Sequence, residues 1–127
     1  MTKYEELVAE YENELFIEER PIRNAGLYAD GIVWLNDQLP STSKYCVLAE
    51  EVGHYFTTCG DILDQTSLDS QKQELRARRW AYEKILPLKL IQFALADGHT
   101  EIWDMAEYLD VEESFLKEAL KHYGILD

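Results

Sequence analysis

The stretch "AGLYADGIVWLN", Ala25 to Asn36, constrains the fold more than any other. Two apolar runs flank Asp30-Gly31, a dipeptide suited to the tight turn of a β-hairpin. A hairpin with an apolar side must be covered, and the flanking sequence supplies helices. "KYEELVAEYEN" (3–13) places Tyr4, Leu7, Val8 and Tyr11 at helical spacing with acids between them, an amphipathic opening helix. In "LFIEERPI", Phe16 and Ile17 precede charges and Pro21, which predicts a short edge strand, since proline cannot donate to a central ladder. "DQLPSTSK" reads as a loop that offers Ser41, Thr42 or Ser43 as a helix N-cap.

From there the pattern is helical. A helix over about 43–58 should stop near Gly60, a residue suited to a left-handed cap. "DILDQTSLDSQ" is a polar connection to a second helix, from Ser67 or Asp69 to Leu86, ahead of Pro87. "LPLKLIQFALADG" is a third helical stretch ending at Gly98. "EIWDMAEYLDVEESFLKEALKHYGI" reads as helix, turn, helix, with its break near Asp110 and Glu113 as an early acid. The expectation is an α+β fold, a small antiparallel β-sheet followed by a helical body. The 127 residues suit one domain, 1–127, with 100–127 a helix-turn-helix-like C-terminal unit.

A formal charge of −13 argues against a phosphate-backbone binder. The last helix agrees, offering Lys117 and Lys121 against Glu112, Glu113 and Glu118, whereas a recognition helix brings arginines or amides to base edges. No direct nucleic-acid partner is expected, and the basic cluster Arg76, Arg78, Arg79 and Lys84 reads as charge balance. The first 20 residues carry seven Glu and no apolar run, unlike a signal peptide. No apolar stretch is long enough to span a membrane. A cytoplasmic domain is expected. Cys46 and Cys59 form neither a C-x-x-C pair nor a disulfide framework.

Chemistry concentrates in "LAEEVGHYFTTCGD", Leu48 to Asp61. On a helix Glu50 and His54, four apart, share a face. Carboxylate oxygen and imidazole nitrogen are both Zn²⁺ ligands at about 2 Å. Glu51 is turned about 100° from Glu50, given about 3.6 residues per turn. In H-E-x-x-H enzymes that offset makes the glutamate a general base rather than a ligand. Leu48, Val52, Tyr55 and Phe56 form the apolar stripe. Gly53 costs roughly 1 kcal/mol against alanine in a helix interior, which a close backbone approach by a neighbouring element would explain. On these five residues alone, a solvated acidic face in a glutamate-rich chain is the stronger reading.

In "QELRARRWAYEKILPL", Glu74, Ala77, Ala81 and Ile85 fall on one face. A carboxylate heading a packing face is expensive unless paired or metal-bound. Taken alone, Glu74 is explained as well by the helix dipole or by Arg78 four residues on. Cys59, His99 and His122 read as a structural cysteine and two surface histidines.

Together these segments resemble the ImmA/IrrE family of metallopeptidases. The family pattern is an H-E-x-G-H helix, then an E-x-x-A-x-x-F-A-x-x-L-L-x-P helix. The counterparts are "EEVGH", Glu50 to His54, and "ELRARRWAYEKILP", Glu74 to Pro87, with Trp80 at the aromatic position before Ala81. The hairpin and "MAEYLDVEESFLKEAL" extend the resemblance over nearly the whole chain.

The resemblance implies a zincin-like active-site helix, His54 and Glu74 as metal ligands, and Glu51 as general base. Glu50 stands where the family has its first histidine ligand. Family members from phages and mobile elements often read "LAEELGHY" there, so Glu50 is carried as the third ligand. A Glu/His/Glu set is harder and more anionic than His/His/Glu, which opens a Zn²⁺ site to Mn²⁺ or Fe²⁺. The implied activity is endopeptidase cleavage of a helix-turn-helix repressor of a phage or mobile element. The alternative is a catalytically silent module that docks on such a repressor.

Overall fold

The computed structural model describes residues 1–58 and 67–127, with side chains from residue 70 onward in the second part. Its order is α1 (Lys3–Tyr11), β1 (Phe16–Arg20), β2 (Gly26–Ala29), β3 (Ile32–Asn36), α2 (Ser41–Thr57), α3 (Ser67–Ile85), α4 (Leu88–Ala96), α5 (Ile102–Leu109) and α6 (Glu113–His122). This is an α+β fold. The expected cap at Gly60, most of the polar connection after it and Cys59 lie outside the described residues.

The hairpin forms where Asp30-Gly31 predicts it. Both residues hold positive φ, 47° and 81°, and the register pairs Ala29 with Ile32 and Gly26 with Leu35. The sheet is mixed rather than wholly antiparallel. β3 lies in the middle, antiparallel to β2 and parallel to β1, with Phe16 opposite Ile32 and Arg20 opposite Asn36. The chain passes from β1 to the far edge before the hairpin returns it to the centre. Backbone bonds from Asn36 N to Ala25 O (2.9 Å) and from Asp37 N to Arg20 O (3.0 Å) hold that crossing. β1 stops before Pro21 and is an edge strand, as its sequence requires.

One sheet face packs inward through Ile17, Tyr28, Val33 and Leu35 onto α2, whose Leu48, Ala49 and Val52 are fully buried. α3 adds Ala77, Ala81 and Ile85 from one face, while α4, α5 and α6 close the core with Ile91, Ala94, Met105, Phe115 and Leu116. Phe56 departs from the expected inward stripe. It is 41% exposed, and its ring stacks on Trp80 at 5.2 Å.

α2 starts at Ser41 with Pro40 as N-cap and no side-chain cap bond, not with a serine or threonine cap. The hydroxyl of Thr42 donates instead to Asp110 Oδ1 at 2.9 Å. Asp110 itself takes the left-handed conformation (φ 57°) that ends α5. No helix among the described residues is long and apolar enough to cross a membrane.

Candidate metal centre

Gly53 is where α2 and α3 touch. A Cβ built there would stand 2.4 Å from the carbonyl oxygen of Ala77, a distance no side chain tolerates. Helix propensity is sacrificed for close approach. One residue on, His54 Nε2 stands 3.0 Å from Glu74 Oε2. The hydroxyl of Thr57 donates to Gly53 O at 2.7 Å, and Tyr55 donates to Glu14 Oε2 at 3.1 Å. Both bonds steady the end of α2.

Gly26 performs a second close approach. A Cβ there would lie 2.5 Å from Val47 Cγ1 and 3.2 Å from Glu51 Cγ. β2 is thereby laid across α2 beside Glu51. Between the strand and the helices lies a cleft of about 570 Å³, walled by Gly26–Asp30, floored by Glu51, His54 and Thr58, and closed by Gln73 and Glu74. Sequence reasoning treated residues 26–30 as scaffold and did not find this wall. A glycine opening a strand was the available signal.

Glu51 is largely desolvated, and burial, then Glu74, then Glu50, push its carboxyl up to about 7. Glu50 is raised chiefly by burial as well, opposed by Arg78 and reinforced by Glu74. It lines a neighbouring cavity of about 330 Å³, shared with Arg78, Tyr82, Glu112 and Glu118. The structure therefore puts Glu51, His54 and Glu74 in one cleft, while Glu50 borders the next. His99 lies elsewhere, paired with Asp104 and Asp97, and His122 is paired with Glu83. Cys46 is buried, and burial lifts its thiol to about 12, far from a thiolate ligand.

His54 and Glu74 fit a divalent cation, as a pair, in kind and in spacing. Two ligands held at about 2 Å from one ion stand about 3–4 Å apart, as His54 Nε2 and Glu74 Oε2 do. Glu50 and Glu51 are two desolvated carboxylates that repel each other and Glu74, a charge pattern that a cation offsets. Among the described residues, no group of three or more His, Cys, Asp or Glu side chains is gathered as a metal site.

Residues 6–121 match the family model of Peptidase M78, the IrrE N-terminal-like domain. No curated protein matches the chain.

Proposed function

The chain belongs to the Peptidase M78 family, the ImmA/IrrE metallopeptidases, and on that premise we propose a metal-dependent endopeptidase of the zincin type acting in the cleft beneath β2. The observation that carries this reading is the 3.0 Å pairing of His54 and Glu74 across two helices, in one cleft with Glu51. Zn²⁺, with Mn²⁺ or Fe²⁺ as alternatives, held by His54 and Glu74 and with Glu50 as third ligand, would polarise a peptide carbonyl and acidify water.

Glu51 is the base. Its carboxylate accepts a proton from the attacking water and returns it to the departing amine, and desolvation tunes it for both tasks near neutrality. β2 orients the peptide. Ala25 O accepts from Asn36 N–H, so by strand alternation Gly26 and Tyr28 direct their N–H and C=O groups to the outer edge of β2, which no strand among the described residues covers. An extended peptide can pair there above Glu51. The substrate proposed is the helix-turn-helix repressor of a phage or mobile element, met in the cytoplasm.

The silent docking module has one observation in its favour, the position of Glu50 beside Arg78 in the neighbouring cavity. Calorimetric titration of metal-stripped protein with Zn²⁺ and Mn²⁺ separates the two. One ion per chain, lost in His54→Ala and Glu74→Ala, is expected. No measurable binding of either ion would leave the docking module.

A further inference from the structure

The sheet presents a second, outward face that the catalytic reading does not use. Strand register puts Leu27 beside Trp34 and Ala29 beside Ile32, with all four side chains opposite the inward set of Val33, Leu35 and the half-buried Tyr28. Leu27, Ile32 and Trp34 are each more than a third exposed. Between them runs a groove of about 180 Å³ with almost wholly apolar walls. On a chain of net charge −13, these side chains form a contiguous patch rather than scattered single residues. The Arg20 guanidinium lies 5.5 Å from the Trp34 ring centroid and is tied to Glu18 at 2.6 Å, which fixes one wall of the groove.

The groove lies back to back with the catalytic cleft across β2. Leu27, Tyr28 and Ala29 line both, because β2 is the partition between them, and no strand among the described residues covers its outer edge. A strand added to that edge points alternate side chains to opposite faces. One set enters the cleft over Glu51, and the other lies along Leu27 and Ala29 toward Ile32 and Trp34.

We propose that this groove is a specificity subsite, taking one aliphatic or aromatic side chain of the extended peptide whose backbone pairs with β2. The inference rests on the endopeptidase reading for its substrate class. The residues that line the groove itself carry no charged group, and Arg20 at its margin is already paired with Glu18, so a charged side chain there would lose hydration without a free ionic partner. Trp34 and Ile32 are the specificity-determining residues. Phe16, on the same face in β1 opposite Ile32, lies outside the groove.

Two measurements on the full chain test this. Peptides from a digested bacterial proteome are incubated with the chain and Zn²⁺ or Mn²⁺, and cleavage sites are read by mass spectrometry. In parallel, the Glu51→Gln chain selects binders from a random displayed peptide library. Aliphatic or aromatic residues should be enriched at one fixed position. Trp34→Ser and Ile32→Ser should each cut that enrichment about tenfold, the scale of removing a few apolar contacts. Trp34→Phe and Phe16→Ser should retain it. Enrichment unchanged in both serine variants, or no apolar position selected in either arm, overturns the subsite. Selection without any cleavage upholds the subsite and sinks the endopeptidase reading instead.

Discussion

At Gly53 two effects oppose each other, and distance decides between them. Alanine would gain roughly 1 kcal/mol of helix propensity, but its methyl would sit 2.4 Å from the Ala77 carbonyl oxygen. Backbone cannot rotate away as a side chain can, so α3 must move. Gly53→Ala should lower unfolding free energy by about 1–3 kcal/mol net, read from urea denaturation. A stabilised variant would mean that the helices do not meet there. Glu51 is the second residue with a sharp expectation. Glu51→Gln should abolish cleavage with Zn²⁺ stoichiometry intact, since Glu51 is assigned as base and not ligand. Metal lost along with activity would show that Glu50 and Glu51 exchange roles. Gly53 was legible because an interior helical glycine is costly and demands a reason. The side-chain direction of Glu50 was not. Spacing of four fixes the Cα–Cβ direction but not the rotamer, and Arg78, on another helix, contributes a field that no local pattern contains.

Elements were legible in proportion to how local their causes are. The hairpin follows from Asp30-Gly31, and the α5 break from a left-handed Asp110. The parallel pairing of β1 with β3 depends on how the chain crosses between Arg20 and Gly26. A five-residue strand reads the same in either direction, so alternation could not supply it. The uncapped start of α2 has a similar origin, because Thr42 spends its hydroxyl on Asp110, 68 positions away. Thr42→Val should therefore cost about 0.5–1 kcal/mol, the net worth of an exposed hydrogen bond, checked by thermal melting. The junction of α4 and α5 makes a pH prediction. His99 stacks on Tyr108, with its ring nitrogens 2.8 Å from Asp104 and 3.5 Å from Asp97. The Asp104 bond foremost raises its pKa. A histidine raised in the folded state stabilises fully below its ordinary value of about 6.5. That contribution fades as pH rises through the folded value. His99→Gln should remove this decline from a plot of melting temperature against pH. An unchanged slope would show that the pair is open in solution.

The molecule as a whole is organised around α2, which carries the sheet through Gly26 and α3 through Gly53. A ligand gripping His54 and Glu74 joins α2 to α3 and is present only when the fold is. Binding free energy then appears as folding free energy. At a hundredfold excess over Kd, Zn²⁺ should add about 2.7 kcal/mol to stability, a rise in melting temperature that His54→Ala removes. Glu50→His sharpens the same measurement. It takes one negative charge from a group of carboxylates that repel one another. It leaves Arg78, which is exposed to water, without a buried-charge penalty. It also supplies imidazole, which suits Zn²⁺ better than a hard oxygen does. If Glu50 swings to the metal as third ligand, the histidine variant should bind Zn²⁺ at least as tightly, and its thermal shift should match or exceed that of the parent. Its preference for Zn²⁺ over Mn²⁺ should also widen. If Glu50 belongs only to the neighbouring cavity, the substitution should leave both ions' affinities where they were, and the site would rest on His54 and Glu74 alone.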